Sequence, residues 1–227
     1  MEAGGFQVKV VRRRIRNINL YVKPPDGRVE VSAPYSAGDA EIAGFVCRKA
    51  SWIRSKQAAL RERPPRAPRQ WVSGESFYFW GREYLLRVTE GNWSLRLSGN
   101  EALFTVKPGS TAEQREGWIR EWYRDRLIRQ AEILLPAWSD RTGLVPASWQ
   151  TKYMKTRWGT CNTVTRKIWL NPRLALKPPE CLDYVILHEL AHLRVRDHGP
   201  DFRAILDRYM PAWKEYRRRL NSSGMEL

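Results

Sequence analysis

The stretch His188-Glu189-Leu190-Ala191-His192-Leu193-Arg194-Val195-Arg196-Asp197-His198 contains every histidine of the 227-residue chain. Its first five residues have the H-E-x-x-H spacing, which sets two imidazoles one turn apart on the same face of a helix. Cβ atoms four residues apart lie about 5–6 Å from each other. Two ring nitrogens there can reach one ion at about 2.0–2.1 Å. Glu189 stands about 100° round the helix from His188, so its carboxylate reaches beside the ion rather than onto it. That is the place for a general base acting on an attacking water. Leu182, Val185, Ile186, Leu187 and Leu190 make the surrounding helix apolar, so the motif sits on a core helix.

His198 constrains the backbone further. Six more residues of helix would turn it about 240° away from His192 and off the ion. A third ligand therefore requires the helix to stop between them. Asp197, which tolerates left-handed backbone, and Gly199-Pro200 supply the stop. With His188, His192 and His198 as ligands a fourth position stays open, as in catalytic rather than structural Zn²⁺ sites. The plain alternative is three core or surface histidines without a metal, and the clustering of all three speaks against it. Cys181 lies about 10 Å of helix rise from His188 and is out of ligand reach.

Composition narrows the class. Hydrophobic residues make up 42% and charged residues 28% of the chain, which reads as globular. No apolar run approaches the eighteen or so residues of a membrane span. Arg12, Arg13, Arg14 and Arg16 interrupt the first twenty residues, leaving no signal-peptide core. Three widely spaced cysteines, Cys47, Cys161 and Cys181, favour reduced thiols and a cytoplasmic setting. The net charge of +16 favours anionic partners such as nucleic acid, nucleotides or acidic protein. Against a dedicated nucleic-acid surface, Lys and Arg are dispersed, and the dense runs are only Arg12-Arg13-Arg14 and Arg217-Arg218-Arg219.

Periodicity places the elements. Residues 6–22 alternate as a strand pattern, Pro24-Pro25-Asp26-Gly27 reads as a turn, and Arg28–Val31 returns. Ser36 and Asp39 suggest a capping box for one helix running to about Arg63, and Pro64–Pro68 reads as a short linker. Residues 71–108 read as an antiparallel meander with turns at Ser73-Gly74, Trp80-Gly81, Glu90–Asn92 and Ser98–Asn100; no repeat is evident. Thr111 with Gln114 opens a long helix whose stripe is Ile119, Trp122, Tyr123, Leu127, Ala131, Leu134 and Leu135, ended by Gly143. Trp149–Met154 and Lys167–Leu170 read as strands around the tight segment Arg157–Cys161. Pro178-Pro179 starts the motif helix, Pro200 opens a helix bearing Phe202, Ile205, Leu206 and Tyr209, and a last helix follows Met210-Pro211.

The segments Arg157-Trp158-Gly159-Thr160-Cys161, Ile168-Trp169-Leu170-Asn171 and Asp183–Leu193, with His198, Phe202 and Met210-Pro211, resemble the YgjP-like metal-dependent hydrolase family. Trp52-Ile53 and Gly81-Arg82-Glu83-Tyr84 extend the resemblance over nearly the whole chain. His198–Phe202 also resembles the third-ligand segment of SprT-like proteases. The metzincins share the ligand spacing but have glycine where Val195 stands, so their turn is not carried over. Met210 is expected in the core rather than as a methionine turn, and His198 is preferred to Glu215 as third ligand.

The resemblance implies a peptidase-like site with Zn²⁺ on His188, His192 and His198, Glu189 as general base, and a peptide or protein substrate. Arg157 and Trp158 are candidates for the rim of the substrate cleft, or else form a structural turn; both readings stand. Tyr184 or Tyr209 is a candidate transition-state donor, and Asp183, Asp201 and Asp207 are candidate partners for the imidazoles. A hydrolase of nucleotides or other phosphoanhydrides is a second reading, and a nucleic-acid-binding module with a structural metal a third. The expected fold class is α+β: a β-rich region with one helix over residues 1–110, then a mainly helical zincin-like domain over 111–227 with a small sheet beside the motif helix.

Overall fold

The computed structural model describes residues 1–23, 25–62 and 69–221. The chain has the α+β class expected, and it divides into two compact units, Met1–Pro68 and Arg69–Leu227.

The first unit holds strands β1 (Glu2–Ala3), β2 (Phe6–Arg13), β3 (Asn19–Lys23) and β4 (Arg28–Pro34), then helices α1 (Asp39–Arg48) and α2 (Ala50–Arg61). The sheet order is β1-β2-β4-β3, with β2 and β4 parallel and β3 and β4 antiparallel. Alternate residues Val8, Val29 and Val31 face inward against Ile42, Val46 and Ile53, burying the strand and helix stripes together. Two details differ from the sequence reading. The expected single helix breaks at Lys49, and Gly38, not Ser36, caps α1 without a side-chain hydrogen bond. The reading of Pro64–Pro68 as a linker lies outside the described residues, as does Pro24 in the first turn.

The second unit opens with β5 (Ser76–Phe79), β6 (Arg82–Glu90), β7 (Ser94–Ser98) and β8 (Glu101–Val106), in the order β5-β6-β8-β7. This is not a meander. β8 runs parallel to β6 and β7 closes the edge. Alternation shows that these segments are strands but carries no information about which strands pair. The first sheet has the same order and orientations, so one topology occurs twice without a visible sequence repeat.

Helix α3 (Ala112–Thr142) follows, with the Thr111–Gln114 capping box and Gly143 at its end, as the sequence indicates. Its N-terminal half, Ile119 and Tyr123, packs on the sheet with Phe77, Leu86 and Phe104. Its C-terminal half, Leu127, Ala131, Leu135 and Trp138, packs into the core that holds the histidine motif. Residues 69–110 thus share a helix with the motif core, so the contacts divide the chain at 68 rather than near 110.

A small sheet of β9 (Ser148–Thr151), β10 (Gly159–Asn162) and β11 (Lys167–Leu170) lies beside α4 (Pro179–Ala191). Its order is β10-β11-β9, with β10 at an edge. A 3₁₀ turn, Pro172–Leu176, leads into α4, and α5 (Pro200–Tyr209) and α6 (Trp213–Asn221) complete the fold. Met210 is buried in this core, as expected. The Trp80-Gly81 turn between β5 and β6, with φ of 47° and 79°, supports the start of α4. Trp80 N–H donates to Ala175 O at 2.7 Å, and a Cβ on Gly81 would meet Pro178 at 2.8 Å.

Candidate metal centre

Helix α4 presents His188 and Glu189 from its last turn, and His192 is its cap residue. The helix stops where the ligand geometry requires. Leu193, Arg194 and Val195 donate back to Leu190 and Ala191 in the closing turn. Neither Asp197 nor Gly199 is left-handed. The reversal instead uses the Asp197 carboxylate, which accepts from Gly199 N–H at 2.9 Å. His198 is thereby returned to the face of His188 and His192.

The three imidazoles converge. Their ligand atoms all lie within 4.8 Å of one another, and His188 Nε2 and His198 Nε2 are 3.1 Å apart. That separation suits two nitrogens each about 2.0–2.1 Å from one ion. Phe202 of α5 lies against all three rings, at centroid distances of 4.9, 4.7 and 4.8 Å. Burial, then His192, His198 and Arg217, push His188 down to about 3. Burial also lowers His192. Both rings are therefore neutral at neutral pH, with a lone pair each, as a metal ligand needs.

The remaining ring nitrogens are engaged. His192 Nδ1 lies 3.1 Å from Val195 O, to which it donates, leaving Nε2 for the cluster. His188 Nδ1 faces the Tyr184 hydroxyl at 3.4 Å. The aspartates considered from sequence are used elsewhere: Asp183 accepts from Trp138 Nε1 at 2.8 Å, and Asp207 from Trp213 Nε1 at 2.7 Å. Asp201 sits exposed in the first turn of α5. Glu215 pairs with Arg219 and is not part of the histidine group.

Glu189 is 5% exposed, and burial pushes its carboxyl up to about 8 against the field of Arg157. It packs against Gly159 of β10: an added Cβ there would lie 2.6 Å from Glu189 Oε1. Together these groups line a cleft of about 520 Å³ with Arg157, Trp158, Cys161 and Tyr184. Burial, with Glu189 adding to it, holds the Cys161 thiol up at about 11, so it is no thiolate nucleophile at neutral pH.

The sequence profile described as YgjP-like, metallopeptidase domain matches residues 16–223. The chain belongs to this family. Its members are metal-dependent peptidases, and this YgjP-like domain joins a hydrolase fold to three histidines that could hold a metal ion. It is also similar to the crystal structure of the metallopeptidase zymogen abylysin of Pyrococcus abyssi, at 24% identity and a TM-score of 0.37, over 40% of this chain and 90% of that one. For the zymogen jannalysin of Methanocaldococcus jannaschii the values are 22% and 0.36, over 39% and 91%. No curated protein matches the chain.

Of the residues singled out in the sequence of this YgjP-like domain, Arg157 and Trp158 both reach the cleft. Trp158 also packs on the motif core, with the Lys177 amine 5.5 Å from its ring centre, so it is a wall and a support at once. Tyr184 lines the cleft; Tyr209 lines a separate pocket with Leu144 and Arg208. Sequence reasoning missed what holds the Arg157 loop. Buried Asn171 donates from Nδ2 to Met154 O and Arg157 O, both at 2.8 Å, and its N–H donates to Trp158 O at 2.8 Å. It also missed Arg196 and Arg217, which line the cleft from other elements. The neighbours of Asn171 and Arg217 are distant in sequence, and for Arg196, inside the histidine stretch, spacing alone does not say that its side chain faces the cleft.

Proposed function

We propose that this YgjP-like domain hydrolyses peptide bonds with one Zn²⁺ held by His188, His192 and His198 and with Glu189 as general base. The observation that carries the reading is the convergence of three imidazoles beside one buried carboxylate on the wall of an open cleft. An all-imidazole ligand set suits zinc. When bound there, the ion supplies a Lewis acid that polarises the scissile carbonyl and acidifies the attacking water.

The chain supplies the rest. His188 and His192 are kept neutral by burial, and their outer nitrogens are held by Tyr184 and Val195 O, so the inner nitrogens stay aimed. With the ion's positive charge beside it favouring the ionised form, Glu189 would take the proton of the attacking water on its carboxylate and deliver it to the leaving amine. Gly159 leaves that carboxylate room and, with Trp158, forms a wall along which the substrate lies. Among the described residues no helix is long and apolar enough to cross a membrane. Cys47, Cys161 and Cys181 are free thiols, which fits a reducing, cytoplasmic setting.

The test begins with elemental analysis of protein purified without a histidine tag, followed by a panel of peptides, casein and nucleoside triphosphates with and without chelator. About one zinc per chain, lost in His198→Ala, and chelator-sensitive peptide cleavage are expected. Glu189→Gln should keep the metal while losing about 10²–10⁴-fold in kcat. Failure to take up zinc, unchanged turnover in Glu189→Gln, or turnover of the triphosphates alone would overturn the reading.

A further inference from the structure

Three arginines from three elements line the cleft beside the histidines: Arg157 before β10, Arg196 in the turn between α4 and α5, and Arg217 on α6. All three are exposed. None is ion-paired among the described residues, whose salt bridges all lie elsewhere. Of the nearby carboxylates, Glu215 pairs with Arg219 at 2.5 Å, and exposed Asp197 accepts from Gly199 N–H at 2.9 Å. Among the described residues Glu189 is the sole acidic side chain in the lining, and it is buried in the wall.

The positive surface does not end at the cleft. A shallow groove of about 480 Å³, lined by Lys214, Arg217, Arg218 and Asn221, shares Arg217 and Asn221 with it. Arg217 and Arg218 of the basic run thus border the site. Exposed arginines without an ion-pair partner are free to take a ligand's carboxylates, which guanidinium forks match bidentately. The cleft's field would also draw such a ligand in from solution.

Resting on the peptidase reading above, we propose that the site takes an acidic peptide segment, with substrate Asp or Glu side chains pairing with Arg157, Arg196 and Arg217 and the chain continuing along the basic face of α6. The three arginines are then determinants of specificity, separate from the histidines and Glu189.

The experiment uses two labelled peptides of one sequence, with Glu or with Gln flanking the centre. Their binding to zinc-loaded Glu189→Gln protein is followed by fluorescence anisotropy at low and moderate salt. Exposed pairs contribute roughly two- to fivefold each, so the Glu peptide should bind about tenfold or more tightly, with the preference shrinking as salt rises. The Arg217→Gln/Arg218→Gln variant should lose about two- to fivefold of the preference for each pair removed, with an unchanged melting temperature. Equal binding of the two peptides, a preference unmoved in that variant, or displacement by a single-stranded oligonucleotide while the peptides bind alike, would overturn the proposal. Cleavage by the zinc-loaded wild type reports separately. Equal cleavage of both peptides with equal binding overturns acidic specificity alone, whereas Glu-selective binding without any cleavage overturns the peptidase reading.

Discussion

A methyl group on Gly159 would lie 2.6 Å from Glu189 Oε1 and 2.8 Å from Val185 Cγ1. Neither neighbour can give way easily, since both are buried on α4. Gly159→Ala should therefore cost about 1–3 kcal/mol through overpacking and displace the carboxylate. The expected result is a lowered melting temperature and weak turnover with metal content retained; an unchanged melting temperature would contradict the packing argument. Tyr153 offers a pH test. Its hydroxyl donates to Arg120 O at 2.7 Å, and burial, opposed by Arg120 and Arg124, pushes it up to about 12. The unfolded chain loses this proton near 10. Between those values the unfolded state is favoured by ionisation, so stability falls as pH rises. Tyr153→Phe should flatten that fall between pH 10 and 12, read from denaturant midpoints against the wild type. His188, His192 and Glu189 were legible in the sequence because helix geometry relates them, and His198 because a stop signal follows within a few residues. The requirement for glycine at 159 was not, because it depends on a side chain thirty positions away.

Segments meet at points that periodicity does not reveal. Asn171, between β11 and the 3₁₀ turn, holds the loop that carries Arg157 and Trp158. Removing its amide in Asn171→Ala leaves two carbonyls unpaired, at about 1–3 kcal/mol for each. Loss of thermal stability and a raised KM, with zinc still bound, is the expected outcome, measured by calorimetry and peptide kinetics. The capping box and closing glycine of α3 were readable, because their hydrogen bonds span three or four residues. The partners of β6 and β7 were not. Alternation fixes which face of a strand is buried, but the choice of neighbour depends on how the whole sheet closes over its core.

All three candidate ligands lie within the unit Arg69–Leu227. A metal that binds only the folded state stabilises the structure around it by mass action. Chelation should therefore increase amide hydrogen exchange in α4, α5 and the small sheet, while the exchange of residues 1–61 stays nearly constant. Hydrogen-exchange mass spectrometry with and without zinc checks this, and uniform deprotection of both units would contradict it.

The histidine motif, the ends of α3, the α+β class and the family resemblance were all contained in short-range patterns. Helix pitch, capping and ligand spacing act over a few residues, so a linear sequence displays them. The doubled sheet topology, the division at 68, the clasp of Asn171 and the convergence of Arg157, Arg196 and Arg217 arise from contacts between distant segments. Such contacts are selected by the burial of a shared core rather than by local propensity, and they appear only once the chain is folded.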